Sequence, residues 1–288
     1  MSEHIRIGTR SSLLALWQAN WVKSRLEELH PGIGVTLVHI KTEGDRIEVP
    51  LFQLGGKGLF VKEIEEALLK GEVDLAVHSA KDLPAAIPEE LALAAFPARE
   101  DPRDALISRT GNSWKEFRRG GKIGTSSPRR KAQLLRLRAD LEIVPLRGNL
   151  DTRIKKLASE NMDGVILASA GLRRMGWENK ISDYFDPETM VPAIGQGVLA
   201  IETHGRNSRI RELVSDLNHF PTARELEAER AFLKELGGGC QIPIAGMARI
   251  KGDLIRLIGL IASSEGERIV RGEKVGTIAG AENLGRQL

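Results

Sequence analysis

The sequence is poor in cysteine and in aromatic side chains. Cys240 is the only cysteine among 288 residues, which excludes an internal disulfide and is typical of a reducing compartment. Aromatic residues make up 4%, so the stacking platforms that single-stranded nucleic acid requires are scarce. No stretch reaches the roughly 18 apolar residues of a membrane helix, and residues 1–6 contain no signal-peptide core. We therefore expect a cytoplasmic protein that binds neither membranes nor nucleic acid.

Metal and nucleotide motifs are also missing. The six histidines fall in six separate predicted elements without an i, i+4 pair, so we expect no metal site. Lys57 lies among glycines, but Leu51 occupies the first glycine position of a P-loop. Gly195, Gly197 and Ala200 fit the spacing of a dinucleotide motif, yet a strand follows where that motif requires a helix. A nucleotide cofactor is therefore not expected.

Positive charge is concentrated in one segment of the chain. The formal net charge is +3, but residues 120–174 contain twelve Lys and Arg against five Asp and Glu, a local charge of +7. The same segment contains no aromatic residue. This combination favours a small polycarboxylate or phosphate as the ligand over a nucleic acid.

Strand and helix patterns alternate along most of the chain, which indicates an α/β fold. Polar crossovers at 96–104 and 191–197 indicate that one domain is inserted into another. The first two domains are expected to be periplasmic-binding-protein-like lobes with mixed, mostly parallel sheets and a ligand between them. The third is expected to be a small α+β domain with a helix on an antiparallel sheet. We predict domain 1 at residues 1–97 and 198–217, domain 2 at 103–191, and domain 3 at 220–288.

Polar side chains follow consecutive strand ends of domain 2, where parallel strands place them at one edge of the sheet. Arg129 and Arg130 lie in the first turn of a predicted helix, where their charge opposes the helix dipole. A bound anion is the expected compensation. Arg10 and Ser12 occupy a similar position in domain 1, between the first strand and its helix. The residues assigned to the anion-binding edge of domain 2 are Thr125, Ser126, Ser127, Arg129, Arg130, Arg147, Gly148, Arg153 and Arg174.

Two further stretches carry reactive side chains. Lys81 and Asp82 follow a buried strand, where α/β proteins place catalytic groups, but a surface ion pair explains them equally well. Cys240 follows three glycines, whose backbone can adopt positive φ. Its thiol is therefore either presented for chemistry, as a nucleophile, a metal ligand or a cofactor attachment point, or a small hydrophobe at a turn.

Taken together, these motifs resemble one family, porphobilinogen deaminase, also called hydroxymethylbilane synthase. The similarity extends from residue 5 to residue 247, with the motifs in family order. One departure is that the family usually continues through a full C-terminal helix, whereas this chain ends at Leu288, so domain 3 is expected to be truncated. The matching segments are Gly8–Ser12, Leu16–Gln18, Gly55–Phe60, His78–Pro84, Thr125–Arg130, Arg147–Arg153, Gly195–Gly197 and Gly239–Pro243.

The resemblance implies a transferase of tetrapyrrole biosynthesis. Family members join four porphobilinogen molecules head to tail, with loss of ammonia, on a covalently bound dipyrromethane, and water then releases hydroxymethylbilane. Cys240 would hold the dipyrromethane through a thioether, and neither a metal nor a nucleotide takes part. Asp82 would act as general acid and base beside the pyrrole N–H, with Lys81 adding a point charge.

The resemblance also implies roles for the remaining residues. Because each pyrrole carries an acetate and a propionate, the growing chain is a polyanion that requires many arginine donors. Lys57 and Phe60 would belong to a lid. The implied cofactor-binding residues are Lys81, Asp82, Thr125, Ser126, Ser127, Arg129, Arg130, Arg147, Gly148 and Cys240. The implied substrate-binding residues are Arg10, Ser12, Gln18, Arg147, Arg153, Arg174 and Gln196.

A competing interpretation is a binding module, either a two-lobed small-anion-binding protein or an effector-binding domain without catalysis. Such a protein would share the interrupted architecture and an anion-lined cleft. It would normally lack domain 3, and it gives no reason for the glycine and cysteine loop at 237–240. We therefore expect the enzyme, acting as a monomer on a small-molecule substrate.

Overall fold

The computed structural model describes residues 4–46, 61–238 and 242–288. The predicted lid residues Lys57 and Phe60 and the predicted attachment residue Cys240 lie outside these ranges. The strands are β1 His4–Thr9, β2 Gly34–His39, β3 Leu75–Ser79, β4 Leu91–Ala95, β5 Asp104–Ser108, β6 Lys122–Gly124, β7 Glu142–Val144, β8 Gly164–Ala168, β9 Asp183–Tyr184, β10 Leu199–His204, β11 Ile244–Lys251, β12 Leu254–Ala262 and β13 Ile269–Thr277. The helices are α1 Leu13–Leu29, α2 Glu43–Arg46, α3 Lys62–Leu69, α4 Pro128–Leu137, α5 Leu150–Ser159, α6 Ser169–Arg174, α7 Ser208–Ser215, α8 Phe220–Glu235 and α9 Ala281–Gln287.

The chain forms two compact units. The described residues of the first unit are 4–46, 61–100 and 198–224, and those of the second are 101–197, 225–238 and 242–288. Predicted domain 2 lies in the second unit, and so does predicted domain 3 from residue 225 onwards. The division into three domains stays a prediction.

The first unit contains a five-stranded sheet in the order β2-β1-β3-β10-β4. β1 is parallel to β2 and β3, whereas β10 is antiparallel to both of its neighbours. Four strands therefore point the same way, and the one reversed strand is where the chain returns to this unit. A mixed, mostly parallel sheet was predicted and is confirmed.

Helices cover both faces of this sheet because their apolar residues recur at helical spacing. Ala19, Val22 and Leu26 of α1 are completely buried against one face, together with α7. α3 buries Ile64 and Leu68 against the other face. Since β1 and β3 are parallel, the turns that follow them, at 10–12 and 80–82, emerge at the same edge.

The second unit contains another five-stranded sheet, in the order β7-β6-β8-β5-β9. β6 is parallel to β7 and β8, so the loops after these three strands lie at one edge, as predicted. β5 runs antiparallel to β8 and pairs Asp104 with Ala168. Asp104 therefore begins its strand at the same edge at which β6, β7 and β8 end.

The antiparallel sheet β11-β12-β13 also belongs to the second unit. Helices α8 and α9 cover one face, where Phe232 and Leu284 pack with Leu257. On the other face, Leu260 belongs to a hydrophobic cluster that includes Ala132 of α4. The predicted small antiparallel sheet beneath a helix is confirmed, and α9 packs beside that helix on the same face.

Within the described ranges, the helices are all too short or too polar to cross a membrane. The same ranges contain no group of three His, Cys, Asp or Glu residues that could hold a metal ion.

Candidate active site

A pocket in the first unit lies at the edge where β1 and β3 end. It is a shallow pocket that is partly open to solvent. Four residues assigned to the site from the sequence lie together in its wall. The lining residues are Arg10, Ser12, Leu14, Ala15, Gln18, Val61, Ile64, Val77, His78, Ser79 and Asp82.

The amino end of α1 forms part of this pocket. Ser12 is the N-cap, and its side chain accepts a hydrogen bond from Ala15 N at 3.3 Å. Thr9, which ends β1, is buried, and its hydroxyl lies 3.2 Å from Arg10 O and 3.3 Å from Ala15 O. These contacts hold the turn, so that Arg10 and the first backbone N–H groups of α1 lie together at the pocket. A helix amino terminus and a guanidinium group both favour an anion.

Gln18 lies one turn further along α1 and is buried. Its Nε2 donates to Ser79 Oγ at 3.0 Å, and Ser79 is the last residue of β3. This contact fixes the orientation of the Gln18 amide at the pocket wall. Ser79 was assigned no role from the sequence.

Asp82 follows β3 in a short 3₁₀ turn, Ala80–Asp82. The turn is anchored by the hydrogen bond from Ala80 N to Val198 O at 2.9 Å and by the buried side chain of Leu83. The Asp82 carboxylate is exposed at the pocket, so it can meet a ligand. Lys81 is also exposed, and it is absent from the described residues that line the pocket.

In the second unit, a buried carboxylate organises the arginines at the sheet edge. Asp104 is completely buried, and Arg129 and Arg130 are each 6% exposed. Arg129 Nη1 donates to Asp104 Oδ2 at 2.7 Å, and Arg130 Nη2 donates to Asp104 Oδ1 at 2.8 Å. Each arginine also donates to a backbone carbonyl at 2.9 Å, Arg129 to Val191 O and Arg130 to Ile166 O.

This arrangement corrects one sequence argument. The charge of Arg129 and Arg130 was expected to require a bound anion, but Asp104 already supplies a carboxylate from within the chain. The two guanidinium groups hold the pKa of Asp104 well below its usual range, despite its complete burial. The role of both arginines in cofactor binding stays a prediction.

The three hydroxyl residues assigned to the anion-binding edge stabilise the loop after β6. The Ser126 hydroxyl donates to Leu146 O at 2.9 Å and accepts from Leu146 N at 2.8 Å, which joins this loop to the next one. Ser127 is the N-cap of α4 and accepts from Arg130 N at 3.4 Å. Thr125 is buried and accepts from Ser127 N at 3.2 Å. All three side chains therefore hold the backbone of the sheet edge in place.

Arg147 differs from the other arginines of this edge. Its Nε atom is buried and has no hydrogen-bond partner in the described part of the chain, and burial lowers its pKa. It precedes Gly148, which has φ +111°. By contrast, Arg153 Nε donates to Gly148 O at 2.7 Å, and Arg174 Nη2 donates to Gly197 O at 2.8 Å.

Gln196 joins the same carboxylate cluster. It is 1% exposed, and its Nε2 donates to Pro102 O at 2.6 Å and to Asp104 Oδ1 at 3.0 Å. Its Oε1 is buried without a hydrogen-bond partner among the residues that the structure describes. Glu229, which is completely buried on α8, accepts from Gly195 N at 2.7 Å and so holds the adjoining loop.

Residues next to the predicted attachment site have the expected backbone freedom. Gly237 and Gly238 follow α8 with φ +73° and +31°, conformations that glycine adopts readily. Gly239, Cys240 and Gln241 lie outside the described residues. The interpretation of Cys240 as the cofactor attachment residue stays a prediction.

Sequence reasoning assigned no role to several buried ionisable residues near these sites. Asp104 directly precedes the apolar run 105–107, and Glu202 interrupts the apolar strand β10. His78 likewise follows the apolar residues of β3 and lies 3.0 Å from Glu202 through its Nε2 atom. An ionisable side chain in or beside a run of apolar residues is the signal that could have found them.

Comparison with known proteins assigns the chain to a family. The model of "Porphobilinogen deaminase, dipyromethane cofactor binding domain" matches residues 5–212. The model of "Porphobilinogen deaminase, C-terminal domain" matches residues 223–288. The match to a C-terminal domain disfavours the two-lobed binding module, for which no such domain is expected.

Curated relatives agree with these models. The porphobilinogen deaminase of Geotalea daltonii is 53% identical over 287 residues, which cover 99% of this chain and 90% of the relative. That of Pelobacter propionicus is 53% identical over 285 residues, covering 99% and 92%. That of Geobacter sulfurreducens is 52% identical over 282 residues, covering 98% and 88%.

Two solved structures show a weaker similarity to this chain. The periplasmic VFT2 domain of BvgS from Bordetella pertussis has 13% identity and a TM-score of 0.44, covering 74% of this chain and 86% of that one. The methionine binding protein MetQ has 14% identity and a TM-score of 0.43, covering 74% and 88%. The assignment depends on the family models and curated relatives: this chain belongs to the porphobilinogen deaminase family, whose members are transferases of tetrapyrrole biosynthesis with a dipyrromethane cofactor.

Proposed function

We propose that the pocket of the first unit binds porphobilinogen and that Asp82 is the catalytic carboxylate of this protein. The observation that carries the proposal is the pocket itself, which is lined by Arg10, Ser12, Gln18 and Asp82. These residues come from two separate segments of the chain. The parallel pairing of β1 and β3 supports their common placement.

The chemistry of the pocket suits a substrate with carboxylates and a pyrrole ring. Arg10 and the first N–H groups of α1 bind a carboxylate, and the fixed Gln18 amide orients it. Loss of ammonia from porphobilinogen leaves a cation, which the Asp82 carboxylate stabilises. Asp82 also accepts and returns a proton at the pyrrole nitrogen, a role worth about 10²–10⁴ in rate.

The second unit fits the cofactor that the family uses. A dipyrromethane carries carboxylates, and the buried, unpaired Nε of Arg147 is a donor at the sheet edge that lacks an internal acceptor among the described residues. Arg129, Arg130, Arg147, Thr125, Ser126, Ser127 and Gly148 would hold the cofactor there, and Cys240 would bind it through a thioether. When bound, the cofactor supplies the carbon to which the first porphobilinogen is joined.

The remaining assignments complete the proposal. Arg153, Arg174 and Gln196 would bind further carboxylates of the substrate, with Lys81 as a point charge. Lys57 and Phe60 would close over the substrate as a lid. The protein would work as a cytoplasmic monomer, without nucleic acid or membrane.

Replacing Asp82 by Asn tests the assignment of the pocket. Asp82→Asn removes the negative charge and the base but keeps the shape of the side chain. We expect kcat to fall by about 10²–10⁴ while KM for porphobilinogen changes only a few-fold. The denatured intact mass, measured in parallel, should still exceed the chain mass by two pyrrole units, which shows that cofactor loading is intact.

Glu89→Gln is the matched control, because Glu89 is an exposed acid on the segment that follows Asp82 and does not line the pocket. It should keep the native rate. A native rate in Asp82→Asn would remove Asp82 from the mechanism. If the denatured intact mass of the unsubstituted protein equals that of the bare chain, the cofactor assignment is contradicted.

A further inference from the structure

Three titratable side chains lie together on the α3 side of the first sheet, and we call them the Glu65 cluster. Glu65 is on α3, His78 is on β3 and Glu202 is on β10. Glu202 is opposite Ala76 in the pairing of β10 with β3, so the side chains of Glu202 and His78 project from the same face. Ala76 packs against α3 on that face.

The Glu65 cluster has more acceptor oxygens than donors. His78 Nε2 lies 3.0 Å from Glu202 Oε2, and the two side chains are 4% and 0% exposed. Glu202 Oε1 and Glu65 Oε1 are buried and have no hydrogen-bond partner within the described ranges. A buried carboxylate oxygen without a donor is costly, whereas a protonated carboxyl group can itself donate. The unpartnered oxygens therefore favour a proton on one of the two carboxyl groups.

Electrostatics indicate that Glu65 carries this proton. Burial, followed by the negative charge of Glu202, raises the pKa of Glu65 to about 7, while His78 acts in the opposite direction. Two carboxyl groups that share a buried site behave in this way, because both cannot ionise without repulsion. Near neutral pH, Glu65 therefore exchanges between its neutral and charged forms.

Within the described ranges, no other charged group of the surrounding elements forms a hydrogen bond or ion pair with His78 or Glu202. Lys62, Glu66 and Lys70 are exposed, and β4 contains only Leu and Ala. In the part of the chain that the structure describes, only His78 contacts Glu202 among the charged groups of the packed elements. The other titratable groups on these elements are His4 and Arg6 on β1, His39 on β2, Glu43 on α2, Lys62, Glu63 and Glu66 on α3, Lys70 directly after α3, Asp74 and Asp82 beside β3, and His204 on β10.

His78 connects the cluster to the pocket, because it lines the same pocket as Asp82. An imidazole ring fixed through one nitrogen presents its other nitrogen in a defined direction. We propose that the Glu65 cluster is a proton-dependent positioning device: neutral Glu65 keeps Glu202 on His78 and orients the imidazole, whereas ionised Glu65 adds a negative charge beneath the substrate. This inference rests on the proposed assignment of the pocket to porphobilinogen.

The switch is one reversible proton transfer between the Glu65 carboxyl group and solvent, without a change in any other bond. Porphobilinogen carries carboxylates, so an added negative charge beneath the pocket weakens its binding. Glu65 is thus a positioning residue, and its ionisation raises KM more than it lowers kcat. We expect KM of the native protein to rise about threefold to tenfold between pH 6 and pH 8.5.

Glu65→Gln tests the proposal, because Gln resembles the neutral acid at every pH. We expect its KM for porphobilinogen to be independent of pH over this range and within about twofold of the native value at pH 6. The native protein, measured beside it, should show the rise. Glu66→Gln is the matched control on the exposed face of the same helix, where Glu66 lies 4.0 Å from Lys70. It should follow the native protein.

Thermal unfolding supplies a second measurement that does not depend on turnover. The folded-state pKa of Glu65 is raised from 4.5 to about 7, so its contribution to stability is complete below pH 4.5 and is lost as the pH rises through 7. The melting temperature of Glu65→Gln, relative to that of the native protein, should therefore increase between pH 4.5 and pH 7. Above that range the difference between the two should be constant.

Two results would overturn the inference. One is a rise in KM with pH in Glu65→Gln that matches the native rise. The other is flattened pH dependence of unfolding without any change in the KM profile, because the proton would then exist without acting on the pocket. The Asp82→Asn experiment is independent of both, so a native rate in Asp82→Asn would remove Asp82 from the mechanism without bearing on the protonation of Glu65.

Discussion

Among individual residues, Asp104 determines the environment of Arg129 and Arg130. It accepts hydrogen bonds from both guanidinium groups and from Gln196, all within the buried interior. The two arginines and one carboxylate give this cluster of three side chains a net positive charge. Asp104 therefore keeps the two arginines in place at the sheet edge.

Asp104→Asn should strongly destabilise the protein. Removal of one partner from a buried ion pair costs about 3–5 kcal/mol, because it leaves buried charge uncompensated. The folded-state pKa of Asp104 is lowered, so its contribution is present above the ordinary carboxyl pKa of 3.8 and is lost as the pH falls further. Urea unfolding at pH 7 should show the full loss, and the difference from the native protein should shrink below pH 4.

Asp140→Asn is the comparison for this prediction. Asp140 also pairs with an arginine, Arg138, at 2.7 Å, but at a more exposed position. Solvent screens such a pair, so the loss of stability should be much smaller. Equal losses in the two variants would contradict the special role of the buried carboxylate.

Among the elements, α1 combines two roles at its amino end. Ser12 caps the helix, and the same turn lines the pocket. Capping satisfies a backbone N–H group, whereas the pocket role requires polar groups directed at the ligand. The two roles are separable by experiment, because the same unit contains another helix with a side-chain cap.

Ser12→Ala should lower the free energy of unfolding by about 1 kcal/mol and also raise KM for porphobilinogen. Asn207→Ala is the matched control, because Asn207 caps α7 by accepting from Ile210 N at 3.1 Å and does not line the pocket. It should cost similar stability and leave KM unchanged. If both variants raise KM equally, Ser12 acts on the pocket only through helix stability.

At the scale of the whole molecule, the predicted second and third domains share one core within the second unit. Ala132 and Val191 come from predicted domain 2, whereas Ile258 and Leu260 come from predicted domain 3, yet all four belong to one hydrophobic cluster. Glu229 adds buried hydrogen bonds to Gly195 N and Ala248 N. The antiparallel sheet is therefore packed onto its neighbour by apolar and polar contacts together.

Two leucines of β12 provide a test of this shared core. Leu260 packs in the cluster that contains Ala132, whereas Leu257 packs towards α8 and α9. Each Leu→Ala change should cost about 2–5 kcal/mol. Hydrogen exchange should show faster local opening of α4 in Leu260→Ala than in Leu257→Ala. Equal protection of α4 in the two variants would show that its stability does not depend on this contact.

Much of the fold could be predicted because its signals are local. The bounds of α5, β4 and β12 agree with the periodic patterns of their own residues. The common edge of the loops that follow β6, β7 and β8 was also predictable, because alternating strands and helices indicate parallel strands and these end at one edge. The short helix α6 and the two-residue strand β9 were missed, because elements of this length contain too few residues to show a period.

The candidate site was likewise predictable in its local motifs and unpredictable in its long-range contacts. From the sequence alone came the motifs around Asp82 and Cys240, the arginines of the second sheet, and the family that combines them. Only the tertiary structure revealed that Asp104 pairs with two of those arginines and that Glu202 meets His78, 124 residues away. Periodicity shows which face of an element is buried, but the distant charge that a buried residue meets depends on how strands are ordered in the sheet.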